Sequence, residues 1–132
     1  MKKIDLACII EDDPLHLLIT KRYIELSGYV DKILIYKNGK EAFDDLYDRS
    51  LNGYKLPQII FLDLNMPVWD GWQFMDEFIK LNTKQLDICI LTSSNDEEDI
   101  KKVENYSFIN NYLIKPIGLD QLKEILEEIV YN

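Results

Sequence analysis

The stretch "IIFLDLNMP" (59–67) decides how this chain is read. Ile59 to Leu62 are four apolar residues in a row with no alternation, the pattern of a strand covered on both faces. The chain then reaches Asp63, with Asn65 and Pro67 close behind. A buried strand that delivers a carboxylate from its end needs partners able to hold that charge.

Similar apolar runs recur on either side. They are "IDLACII" (4–10), "KILIY" (32–36), "QIIFL" (58–62), "DICILT" (87–92) and "NYLI" (111–114). Helical patterns separate them. Asp13–Pro14 offers an N-cap and a proline at the first helical position, and Gly28 ends that helix. Its expected apolar stripe is Leu15, Leu18, Ile19, Tyr23 and Leu26. Asn38 is expected to cap a second helix with Ala42, Phe43, Leu46 and Tyr47 inward, and a third carries Trp72, Met75, Phe78 and Ile79. A fourth starts near Asn95 with an acidic first turn, Asp96 to Asp99, suited to the positive end of the helix dipole. The last runs from about Leu119 through Leu122, Ile125, Leu126, Ile129 and Val130.

Five strands alternating with five helices make an α/β chain, (βα)5, and right-handed crossovers favour a doubly wound parallel five-stranded sheet. The order 2-1-3-4-5 is one of the two common orders for such sheets. With 132 residues, the chain is expected to form a single domain over 1–132. In that order Cys8 and Cys89 sit two strands apart, roughly 9–10 Å, too far for a disulfide. They read as small buried residues in a reducing compartment.

Composition narrows the function. Lys and Arg number 15 against 24 Asp and Glu, a net charge of −9. Such a surface repels nucleic acid and anionic membranes, so protein partners and cations are expected instead. No apolar run approaches the ~20 residues of a membrane span, and the start has no signal-peptide cleavage site, so a cytoplasmic protein is expected. The single histidine, His16, excludes His-rich metal sites and leaves little room for a Ser–His–Asp triad.

Ligands of doubly wound sheets bind at the carboxyl ends of the strands. Here those ends are Glu11-Asp12-Asp13, Asp63, Thr92-Ser93 and Lys115-Pro116. Carboxylates from the first and third strands set side by side repel unless a proton or a divalent cation intervenes. Oxygen ligands without His or thiolate point to Mg2+ or Mn2+. A carboxylate can also act as a nucleophile toward phosphorus, and a metal, an ammonium and a hydroxyl can stabilise the transferring phosphoryl oxygens. Asp63 is then the nucleophile, with Thr92 and Lys115 as its helpers. Asp13 is read as the N-cap of the first helix.

"IIEDDP", "FLDLNMPVWDGW", "ILTSS" and "YLIKP", in this order and each at an expected strand end, closely resemble the receiver domains of two-component response regulators. The resemblance covers nearly all of the chain and implies the chemotaxis-type, flavodoxin-like fold with the order 2-1-3-4-5. It implies that Asp63 is the phospho-acceptor, Asp12 a direct Mg2+ ligand, Glu11 an acid acting on the metal through water, and Asn65 a ligand through its backbone carbonyl. Thr92 resembles the switch hydroxyl, Lys115 the ammonium that pairs with the phosphoryl group, and Tyr112 a switch aromatic, exposed before phosphorylation and inward after it. Lys115–Pro116 resembles a cis peptide bond, and Gly71 a residue permitting the turn into the third helix.

Four features depart from the common pattern. Glu11 stands where Asp is commoner, Trp69 where methionine is frequent, and Ser93 and Ser94 follow the threonine. "FINNY" replaces a Gly-containing turn, so Asn110 or Asn111 is expected in the left-handed conformation. Asn65 and Ser94 are the expected tuners of dephosphorylation rate.

The expected role is a stand-alone phosphorelay switch. A sensor histidine kinase or histidine phosphotransfer protein charges it. The chain ends at Asn132 directly after the last helix, so output is expected through an unidentified protein target, with no turnover of a separate substrate. Tyr106 and Phe108 are expected to be core residues or, secondarily, a partner patch. One rival is a Mg2+-dependent aspartate-nucleophile phosphatase of the haloacid dehalogenase type, which this chain resembles less because Asn65 stands where that family carries its general acid. The others are a flavodoxin-like cofactor carrier, which needs a phosphate loop where Glu11-Asp12-Asp13 stand, and a phosphate-independent receiver-like interaction module.

Overall fold

A computed structural model describes residues 3–81, 86–94 and 96–131. The elements run β1 (Ile4–Ile10), α1 (Pro14–Ser27), β2 (Val30–Tyr36), α2 (Gly39–Leu51), β3 (Ile59–Leu62), α3 (Gly71–Phe78), β4 (Asp87–Thr92), α4 (Glu97–Lys102), β5 (Ile109–Ile114) and α5 (Leu119–Tyr131). All strand pairs are parallel, and the order is β2-β1-β3-β4-β5.

The unbroken apolar runs follow from a sheet buried on both faces. Ala7, Ile9, Ile59, Phe61, Cys89 and Leu91 face the layer of α1 and α5, where Ile24, Leu122 and Leu126 meet them. Cys8, Ile10, Ile60, Leu62, Ile88 and Ile90 face the layer of α2 and α3, against Leu46, Phe74 and Phe78. Cys8 and Cys89 are both buried and free, on opposite faces of the sheet.

Capping sets the helix starts. The carboxylate of Asp13 accepts the Leu15 amide at 2.9 Å, and Gly28 closes α1 at φ 75°, where a Cβ would strain the backbone. Asn38 accepts the Glu41 amide and Asp70 the Gln73 amide. Asp96 caps α4 by accepting the Glu98 amide, while the expected start at Asn95 lies outside the described residues.

Several inward faces differ from expectation. Leu15, Leu18 and Leu26 of α1 are exposed at 62%, 64% and 54%, and the buried pair is Thr20 and Ile24, flanked by Leu17 and Tyr23. Apolar residues lie on opposite sides of this helix, so spacing alone could not choose; the position of α5 and the sheet did. Tyr47 is exposed, while Phe43 is half-buried against it. Ile79 is exposed because the helix tightens into a 3-10 turn at Ile79–Leu81, and Phe74 takes the buried position instead.

Asn110 and Asn111 sit within β5, and neither has positive φ. Among the described residues other than glycine, the left-handed one is Val68, at φ 70° in the β3–α3 connection. Tyr106 and Phe108 pack partly buried on the α2–α3 layer. Among the described residues no helix is long and apolar enough to cross a membrane.

Candidate functional site

The strands that matter here run parallel, so their carboxyl ends open on one edge. The ladders continue one rung beyond the strands and mount the polar residues there. The Glu11 amide donates to Tyr36 O at 3.0 Å, the Asp63 amide to Ile10 O at 3.0 Å, and the Lys115 amide to Thr92 O at 2.8 Å. Each of these three side chains therefore starts from backbone as rigid as the sheet. Asp12 and Asp13 lead away into α1 and are exposed.

The β3–α3 connection is held by close backbone packing. A Cβ on Gly71 would lie 2.8 Å from Asp63 O and 2.9 Å from a Leu64 methyl. This glycine is thus needed for close approach and has no positive φ, a correction to its expected role in the turn. Gly39 plays the same part on the other side, where a Cβ would meet Trp69 O at 2.8 Å. Trp69 packs on Phe43 with ring centroids 5.3 Å apart and under the Lys40 ammonium at 5.2 Å.

Glu11, Asp12 and Asp63 bring carboxylate oxygens within 4.8 Å of one another. Glu11 and Asp63 are buried, at 4% and 6% exposure. The Lys115 ammonium sits 2.5 Å from Glu11 Oε1 and 3.8 Å from Asp63 Oδ2. One ammonium does not balance three carboxylates. Asp63 is accordingly held well above the usual carboxylate range, first by burial and then by the Glu11 carboxylate; Lys115 and the Asn65 amide, which donates to Asp63 Oδ1 at 3.3 Å, pull the other way. A cluster of hard oxygen donors carrying excess negative charge suits a divalent cation such as Mg2+ or Mn2+.

Thr92 is fully buried at the end of β4, and its hydroxyl accepts the Ser94 amide at 3.2 Å. Tyr112 is half-buried rather than exposed, and its hydroxyl donates to Ser94 O at 3.0 Å. Lys115–Pro116 is cis. Asn65 is exposed and Ser94 half-buried. All four expected strand ends therefore meet on one edge. Two contributors carried no signal in the sequence. Gly39 reads as an ordinary helix start, and Asp99, which accepts hydrogen bonds from Ser94 and Trp72, reads as one more acid of a first turn.

Known proteins share this fold and much of this sequence pattern. The sequence model described as "Response regulator receiver domain" matches residues 7–127. A probable methanogenesis regulatory protein, FilR2, of Methanothrix harundinacea is 30% identical over 92% of this chain and 78% of its own length. The chain spans 52% of the length of the probable C4-dicarboxylate response regulator DctR of Priestia megaterium, at 27% identity over 96% of this chain. A two-component response regulator from Cytophaga hutchinsonii superposes with a TM-score of 0.86 at 27% identity, covering 99% of this chain and 100% of that one. The Mn2+-bound form of response regulator Rcp1 does so with a TM-score of 0.72 at 25% identity, covering 95% and 91%.

Proposed function

The chain belongs to the response regulator receiver domain family of two-component signalling, and from that premise we propose that it is a phosphorylation-driven switch whose acceptor is Asp63. The observation that carries the reading is a buried aspartate on a rigid strand end, ringed by two further acids and reached by one lysine. We assign the cation, Mg2+ or Mn2+, to Asp12 and Asp63 directly, to the Asn65 carbonyl, and to Glu11 through water. When bound, it neutralises charge on the acceptor and on the incoming phosphoryl oxygens.

The donor is a phosphohistidine on a sensor kinase or phosphotransfer protein. Asp63 must be ionised to attack; its burial and the Glu11 carboxylate oppose that, and a bound cation would favour the charged form. An Asp63 oxygen then forms a bond to phosphorus as the P–N bond breaks, and the imidazole departs with the electron pair. Lys115 stands between Glu11 and Asp63, within reach of a phosphoryl oxygen. Because the Thr92 hydroxyl accepts from Ser94, its own proton is free to donate to another. The same hydroxyl and Tyr112 both touch Ser94, so a shift of Thr92 toward the phosphoryl group would disturb the contact that places Tyr112.

In this reading the chain acts in the cytoplasm as a switch, and its output is contact with another protein or transfer to a second histidine. The test is intact-mass spectrometry after incubation with acetyl phosphate and Mg2+. Wild type gains one phosphoryl group, Asp63→Asn gains none, and chelation abolishes the gain. Phosphorylation of Asp63→Asn would place the acceptor elsewhere. No gain in either protein, with Mg2+ bound, would turn the reading to a phosphate-independent interaction module.

A further inference from the structure

We propose that Asp99 is a positioning residue that holds the Ser94 hydroxyl away from the acceptor and thereby lengthens the life of the aspartyl phosphate. The proposal rests on the function assigned above to Asp63.

Asp99 lies in the first turn of α4 and spends both carboxylate oxygens on neighbours from other elements. Its Oδ1 accepts the Trp72 indole N–H from α3 at 3.2 Å, and its Oδ2 accepts the Ser94 hydroxyl at 2.8 Å. Ser94 is thereby tied at every polar atom. Its hydroxyl oxygen accepts the Asp96 amide at 3.3 Å, its own amide donates to Thr92 Oγ1 at 3.2 Å, and its carbonyl accepts the Tyr112 hydroxyl at 3.0 Å.

Trp72 is itself braced. Its ring lies under the Lys102 ammonium at 5.2 Å and against Tyr106 at 5.4 Å, and the Tyr106 hydroxyl donates to Asp76 at 2.7 Å. The indole therefore fixes Asp99, and Asp99 fixes Ser94, two residues past the buried threonine of the site.

This arrangement bears on hydrolysis. In that reaction water adds to phosphorus, the bond to the Asp63 oxygen breaks, phosphate leaves, and the water gives up a proton as the carboxylate is restored. A serine hydroxyl free to hydrogen-bond that water would help orient it. With its proton committed to a carboxylate, a charge-assisted bond stronger than a neutral one, Ser94 does not do so.

The decisive comparison uses Asp99→Asn, Ser94→Ala and the double variant. Asp99→Asn keeps the side chain's shape and one oxygen for Trp72, but presents Ser94 with an amide donor and so frees the hydroxyl proton. Each protein is charged with acetyl phosphate and Mg2+, the donor is removed, and the decay of the phosphorylated mass is followed. Asp99→Asn is expected to shorten the lifetime about two- to tenfold, the scale of one redirected hydrogen bond, and to have no effect when Ser94 is alanine. An equal effect in both backgrounds, or none in either, overturns the proposal. A chain that gains no phosphoryl group at all overturns the acceptor reading and this proposal together, and it does so as missing mass rather than as unequal decay.

Discussion

The interior of β3 and the residue that follows it are equally hidden from water and chemically opposite. Ile59 to Leu62 are at most 1% exposed and surrounded by apolar side chains, whereas Asp63 is 6% exposed beside Glu11 and Lys115. Burial of the first group drives folding. Burial of the second works against it, because a carboxylate loses hydration and meets another carboxylate before it meets a cation. The difference shows where the fold gives up stability to hold charged groups in place.

The largest test of this contrast is Phe61→Ala. Phe61 is fully buried in the α1–α5 layer, and its truncation should cost about 3–5 kcal/mol by urea unfolding. A loss well under that would mean that the centre of the sheet is less tightly packed than its burial implies. Next comes Gly71→Ala, whose methyl group would meet Asp63 O at 2.8 Å. A destabilisation of about 1–3 kcal/mol is expected and, under the function proposed for Asp63, slower phosphorylation as β3's end is displaced.

At the edge the sign should reverse. Asp63→Asn removes the buried charge and should stabilise the chain by about 1–2 kcal/mol at pH 8 without divalent cation. The accompanying pH dependence follows from the raised carboxyl. Between the ordinary carboxylate pKa and its raised folded value, the native chain holds a proton that the unfolded chain has lost. Stability from this group is therefore full at low pH and lost as pH rises through the folded value. The Asp63→Asn melting temperature should lack that decline, and a decline of equal size in both proteins would remove Asp63 as its source.

Val68 is a smaller case of the same kind. A β-branched residue at φ 70° is strained, and Val68→Gly should gain about 1 kcal/mol. The smallest effect belongs to α1, where Leu18→Gln should stay within about 0.5 kcal/mol of wild type because that side chain is exposed. A loss of core size there would restore the stripe that spacing suggested.

The strands were legible because a sheet covered on both faces demands unbroken apolar runs, and each such run became a strand within two residues of its expected ends. Helix caps were legible for a similar reason, since Asp13 and Asn38 satisfy their own helix's amides and need nothing distant. The four strand-end motifs were legible because parallel strands send their carboxyl ends to one edge.

Less readable were the features set by neighbours from elsewhere in the chain. The rotation of α1 depended on α5 and the sheet, and Leu15, Leu18 and Leu26 turned outward as a result. Gly71 read as a residue permitting a turn and Gly39 as an ordinary helix start, yet each is there because another segment's backbone passes too close for a methyl group. Asp99 read as one more acid of a helix's first turn, and its indole partner lies 27 residues earlier on another helix.

By itself, then, the sequence determined the succession of strands and helices, their caps, and which polar residues reach the carboxyl edge. These follow from periodicity and from hydrogen bonds within a few residues. Only the tertiary structure decided which helix faces turn inward, where Lys115 divides its charge between Glu11 and Asp63, and how Ser94 is tied through Asp99 to Trp72. Those depend on distances between segments remote in sequence, which no local pattern encodes.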